Sequence, residues 1–261
     1  MSAGDLILSL TPPAVLVSIG AILLWRKLYH EFPFFLTYLL YAAAAGVLRI
    51  TVVHNPFLYF WFYWISEGIY GVLALAVLRE VFRRIFALTY EAYGWFRLLF
   101  PATILLISIL SAWQTFFHPL GRGISRIVNA IYWFDLGVHL FEGVILLLVL
   151  GLTAVFPVSW RRYEFGILAG FGINASITML AYLLRFERGS SYEIFFRYGP
   201  PIAYVLAALI WLHAFLRPPG SLPKPQIDHG EMLEVIRRSR ELLEKIERAL
   251  GLRHRLALPP I

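Results

Sequence analysis

Asp135, His139 and Glu142 lie in the apolar stretch YWFDLGVHLFEG (132–143), and their spacing of four and then three residues is that of one helix face. Positions i, i+4 and i+7 of an α-helix fall within about 60° of one another, so the three form a polar stripe roughly 10 Å long. Two chemistries are open to such a stripe. A carboxylate, an imidazole and a second carboxylate can store or pass a proton. The same nitrogen and oxygen donors can ligate a cation such as Zn²⁺, Mn²⁺ or Fe²⁺, which makes His139, Glu142 and Asp135 the candidate metal set. A second stripe, Tyr63, Glu67 and Tyr70, has the same spacing, and Asn174 and Thr178 lie one turn apart further on. The expectation is a polar pocket holding Glu67, Asp135, His139, Glu142 and Asn174, with Tyr63 and Tyr70 beside Glu67.

An acidic side chain at the centre of a membrane helix costs about 3 kcal/mol even on a lenient insertion scale, so it turns toward the bundle interior or a wet cavity. One buried polar residue is explained well enough as hydrogen-bonding glue between helices. Four ionisable groups on two stripes exceed what packing needs, which favours a functional role. Arg49 is available as a counter-ion, although its place near a helix end makes snorkelling outward the simpler expectation.

The elements that must position these residues are membrane helices. Of the 261 residues 59% are hydrophobic and only 15% are charged, and the mean hydropathy is +0.70. That is more apolar surface than one water-soluble core hides. A span needs roughly 20 apolar residues, because its backbone groups must be satisfied within the segment. Seven stretches qualify, at about 6–25, 34–53, 57–78, 98–117, 127–152, 165–184 and 194–216. The last is the weakest, with Arg197 near its start and Pro200–Pro201 inside it. The fold class expected is therefore all-α: a polytopic bundle of seven transmembrane helices over residues 1–217. A Pro-rich linker (218–227), a cytoplasmic amphipathic helix (228–253) and a short tail (254–261) follow.

The net charge of +7 comes from short basic clusters between apolar runs, which reads as membrane anchoring and not as nucleic-acid binding. Ten Lys and Arg residues, among them Arg26, Lys27, Arg79, Arg83, Arg84, Arg161 and Arg162, fall on one side of the seven spans and six on the other. The bias places the N-terminus outside and the C-terminus in the cytoplasm of a multi-pass cell-membrane protein. The N-terminus lacks a basic region and a small-residue cleavage site, so it reads as a retained span. AAAAG (42–46) and GILAG (166–170) carry small residues four apart, which lets helix backbones approach closely. RRIFALTYEAYGWFR (83–97) suits an aromatic segment at headgroup level.

In the C-terminal segment Met232, Ile236, Leu243, Ile246 and Leu250, with Ser239 between them, repeat at spacings of four and three, the seam of a short coiled coil. Its partners are a second copy, a cytoplasmic protein or the membrane surface, and docking on its own bundle is the plainer alternative.

Several chemistries are excluded or disfavoured. The chain has no cysteine, which removes disulfides and thiolate sites. Its only lysines are Lys27, Lys224 and Lys245, so no retinal Schiff base forms in the last span. No His-x-x-x-His pair exists, which speaks against an intramembrane zinc hydrolase. His139 and His213 sit at different depths, a poor fit to bis-histidine haem ligation. His54 and His118, each next to a Pro turn, share a level and could flank a metal or quinone head group, but they read more simply as helix ends. No cofactor and no catalytic residue is assigned.

The stretch YFWFYWISEGIYGVLALAVLREVFRRIF (59–86), with the aromatic and basic segment after it, resembles a family of bacterial seven-helix integral membrane proteins of no assigned activity. The resemblance implies the fold and carries no substrate, cofactor or site residue. The functional expectation rests on the core pocket: a sensor or scaffold that couples a small ligand, a cation or a proton to a cytoplasmic partner through the C-terminal helix. A transporter or proton-coupled redox component using the same residues as a relay is the alternative, and a membrane-embedded metal enzyme the third.

Overall fold

The computed structural model describes residues 3–87, 94–117, 126–155, 162–188, 193–216 and 237. They form seven α-helices and one 3₁₀ turn, with no strand among the described residues. The helices are α1 (Ala3–Trp25), α2 (Pro33–Val52), α3 (Pro56–Ile85), α4 (Gly94–Phe117), α5 (Arg126–Val155), α6 (Arg162–Arg188) and α7 (Glu193–Leu216). Six of them, α2 to α7, are long and apolar enough to cross a membrane, whereas α1 offers a shorter apolar stretch, Leu10–Trp25.

The boundaries follow local chemistry. Lys27 adopts a left-handed backbone, φ 56°, which ends the first helix. Pro33 and Pro56 open α2 and α3 where a missing N–H costs nothing. Asn55 caps α3 by accepting from the Leu58 amide at 3.2 Å. Hydropathy ends the third span near Leu78, but the helix continues to Ile85, because Arg79, Glu80, Arg83 and Arg84 are good helix formers in an interfacial setting. Pro200 and Pro201 do not interrupt α7; in a packed membrane helix, neighbouring groups re-satisfy the freed carbonyls.

α2 starts after Phe32, which has no side chain able to cap it. Glu80 of α3 supplies the cap instead: its two carboxylate oxygens accept from the Phe34 and Phe35 amides at 3.2 and 3.1 Å. Glu80→Ala is expected to cost about 1–2 kcal/mol through loss of this cap. Faster hydrogen exchange at Phe34 and Phe35 with a lowered melting temperature is the signature, and unchanged exchange at both amides would dismiss the cap. At the same end Arg84 pairs with Glu31 at 3.0 Å and Glu164 at 3.8 Å. Arg26 donates to the Leu216 carbonyl at 2.8 Å, closing α7.

The helices pack as a closed ring in the order α1, α2, α3, α5, α6, α7, with α3 also touching α6 and with α4 laid on α5 outside the ring. Gly166 and Gly170 of the GILAG stretch face Ala214 and Trp211 of α7, and Gly46 faces Pro13 of α1, so both small-residue signals mark close helix approaches. The interior is aromatic: Phe35, Tyr38, Phe171, Trp211 and Phe215 are all buried.

Residues 219–261 are the second of two units into which the chain divides. Apart from Arg237 that unit lies outside the described residues, as does the expected coiled-coil seam of Met232, Ile236, Leu243, Ile246 and Leu250.

Candidate functional site

α2, α3 and α5 bring ionisable groups into the bundle. On α3, Tyr63, Glu67 and Tyr70 share a face as their spacing predicts, and Arg49 of α2 holds that face together. The Arg49 guanidinium lies 2.7 Å from Glu67 Oε1 and donates to Ser66 Oγ at 2.5 and 3.2 Å. It also sits 4.8 Å from the ring centre of Tyr63 and 5.5 Å from that of Tyr70, within cation–π range of both. The Tyr70 hydroxyl donates to the Ala42 carbonyl at 3.1 Å, tying α3 back to α2.

Arg49 therefore does not snorkel outward. The physical reason is side-chain direction. Cα–Cβ bonds tilt toward a helix N-terminus, so a long side chain in the last turn of α2 reaches back into the bundle.

On α5, His139 stands between two carboxylates of its own helix. Nδ1 lies 3.0 Å from Glu142 Oε2, and Nε2 lies 3.7 Å from Asp135 Oδ2. Nδ1 donates to Glu142 whenever that carboxyl is ionised. Glu142 is the most deeply buried of the three, its side chain only 3% exposed.

The two groups face each other. α3 packs directly on α5, where Gly71 sits against Phe134 and Val138. Asp135 interacts electrostatically with Glu67 and Arg49 across the gap as well as with His139 and Glu142. Among the described residues no hydrogen bond crosses from one group to the other.

Two features differ from the sequence expectation. Asn174 is half-buried on α6 but makes no hydrogen bond with the cluster among the described residues. It lies one turn beyond Gly170, on the line of α6 that packs against α7. The member of α6 that does reach the cluster is Tyr182, which interacts electrostatically with Asp135, Tyr63 and Glu67. It extends the Asn174–Thr178 spacing by one more turn, a signal present in the sequence.

The second difference concerns metal. Among the described residues no group of three His, Asp or Glu side chains is arranged to hold a metal ion. With one carboxylate at each ring nitrogen, His139 turns its donor positions toward Asp135 and Glu142, so the three do not converge on a common point. His54 is exposed in the turn between α2 and α3, as a helix-end residue would be, while His118 lies outside the described residues.

Ser66 and Tyr41 were not foreseen. Ser66 receives Arg49 and donates in turn to the Tyr63 carbonyl at 2.8 Å, and the Tyr41 hydroxyl donates to the Ser66 carbonyl at 3.3 Å. No family model, no curated protein and no solved structure matches the chain.

Proposed function

We propose that this chain is a seven-span sensor or scaffold of the cell membrane, with its N-terminus outside. Its core cluster responds to a small ligand, a cation or a proton and passes that response through α7 to the cytoplasmic segment and a partner. The observation that carries the reading is the gathering of Arg49, Glu67, Asp135, His139 and Glu142, from three helices, inside a largely apolar bundle. Structural glue needs one or two such groups, and here they form two internally bonded sets in electrostatic contact. The route to α7 is short. Tyr38 of α2 interacts with Glu142, and its ring lies 5.9 Å from that of Trp211 on α7.

The test is a truncation. Removing residues 226–261 is expected to abolish the cellular response while leaving the core cluster's binding unchanged, and a fully responsive truncated chain would end the sensor reading. The serial order Glu142, His139, Asp135, Glu67 favours a relay as the second reading. In that case Glu67→Gln or Glu142→Gln abolishes proton flux in proteoliposomes, and undiminished flux removes the relay.

A further inference from the structure

We infer that the occupant of this core site is a proton, carried on the Asp135–His139–Glu142 triple, and not a metal ion or an organic cation. The inference rests on the reading of the cluster as the responsive site and names what it responds to.

Three observations carry it. First, each nitrogen of His139 faces a carboxylate oxygen, at 3.0 Å on the Glu142 side and 3.7 Å on the Asp135 side. A charged imidazole has a carboxylate on either side, whereas a metal at Nε2 would find only Asp135 beside it, and among the described residues no group of three His, Asp or Glu side chains is arranged to hold an ion. Second, the place an external cation would choose is taken. Arg49 already pairs with Glu67 and lies over the faces of Tyr63 and Tyr70, so the acid and the aromatic surface that together recognise an ammonium group are filled from within.

Third, the two sides of the imidazole are unequal. The 3.0 Å contact is a hydrogen bond and the 3.7 Å separation is not, so the triple has one closed and one open link. Closing the open link by rotation of Asp135 lets a proton cross in two balanced steps. The O–H of a protonated Asp135 breaks as an N–H forms at Nε2, and the N–H at Nδ1 breaks as an O–H forms on Glu142 Oε2. Two protons each move one step, for a net transfer of one; no electron is exchanged, and no co-reactant is required. Asp135 and Glu142 are seven residues apart on one helix, which is about 10 Å along its axis, a third of a hydrocarbon core roughly 30 Å thick.

The groups facing the triple are few. Arg49 of α2, Tyr63 and Glu67 of α3, and Tyr182 of α6 act on Asp135, and Tyr38 of α2, itself beside Tyr204 of α7, acts on Glu142. From α4 the contact is apolar, Ile107 against Gly137. Among the described residues Glu67 is the external carboxylate that acts on the triple, and Arg49 neutralises it.

The experiment is infrared difference spectroscopy of the full chain in lipid vesicles across a pH titration, with each variant's spectrum subtracted from that of the wild type. The expected result is a carboxylic-acid band, tied to the triple, that is lost in Asp135→Asn. In His139→Gln its midpoint moves by about one pH unit or more, a tenfold change in proton affinity. Both substitutions are near-isosteric, and Glu142→Gln provides a third variant should either fail to fold. ZnCl₂ and tetramethylammonium chloride, added at fixed pH, are expected to leave the band in place. Displacement of the band by either salt, in a manner abolished by Glu142→Gln, overturns the proton assignment while the sensor reading stands. If the band is absent and neither salt binds, both readings fall.

Discussion

Arg49→Met is expected to cost about 3 kcal/mol of stability, the low end of the penalty for removing one partner of a buried ion pair, because this pair is half-buried. In purified protein that corresponds to a fall in melting temperature on the order of 10 °C. Both side chains of the pair are only 22% exposed, so without the guanidinium Glu67 keeps its place in the bundle and loses its counter-charge. Ser66 loses the two hydrogen bonds it accepts from Arg49 at the same time. The double variant Arg49→Met/Glu67→Gln is expected to recover most of the loss, because a neutral amide in that position no longer requires a cation. Arg49→Lys restores the charge but not the forked contacts to both Ser66 and Glu67, and should fall between the two. A melting temperature within a degree or two of wild type for Arg49→Met would mean that the guanidinium faces headgroups, and the inward pairing would have to be abandoned.

The second large effect concerns packing. Gly170→Ala places a methyl group against the Trp211 indole at a separation no real side chain tolerates. Trp211 cannot yield easily. It is 1% exposed, donates from Nε1 to the Ile167 carbonyl at 3.1 Å, and lies between Phe171 and Phe35 with ring centres 5.0 and 5.4 Å away. Overpacking of this kind costs roughly 1–3 kcal/mol, to be read as lowered thermal stability with an altered Trp211 environment in fluorescence. Gly143→Ala is the internal control. A methyl group there meets nothing within 4 Å, and the gain in helix propensity is up to about 1 kcal/mol. Equal melting temperatures for the two variants would show that α6 and α7 are not held as closely as described.

Together these variants separate two properties that one stretch of chain carries at once. α2, α3 and α5 hold the charges, while α6 and α7 form the tight aromatic seam against which Tyr38 rests, its ring 5.2 Å from Phe171 and 5.9 Å from Trp211. Loosening that seam at Gly170 should therefore be felt at Glu142, which Tyr38 also faces, whereas a methyl group at Gly143 should not.

The polar stripes of α3 and α5 were legible because the 3.6-residue repeat alone places Tyr63, Glu67 and Tyr70, or Asp135, His139 and Glu142, on one line. That the stripes meet also followed from cost, since neither belongs in lipid. The extra turns of α3 were not legible from hydropathy, which stops at Leu78, although helix propensity continues through Arg84. Asn174 misled because being polar and at the right depth says nothing of azimuth: GILAG pulls its side of α6 toward α7, and the α6 side chain that reaches the acids is Tyr182 instead.

The chain by itself determined its solvent and its secondary structure. Both are set by sums of local terms, apolar content over about twenty residues and backbone preference over a few, and those sums survive any arrangement of the helices. The partners of the charges were decided only by tertiary structure. Whether Arg49 reaches outward or inward depends on the direction its side chain leaves α2 and on what α3 presents at that height. Whether three donors serve a metal or a proton depends on where their lone pairs point once the neighbouring helices have fixed their rotamers. Those are vector quantities, and a linear pattern of residue types carries no vectors.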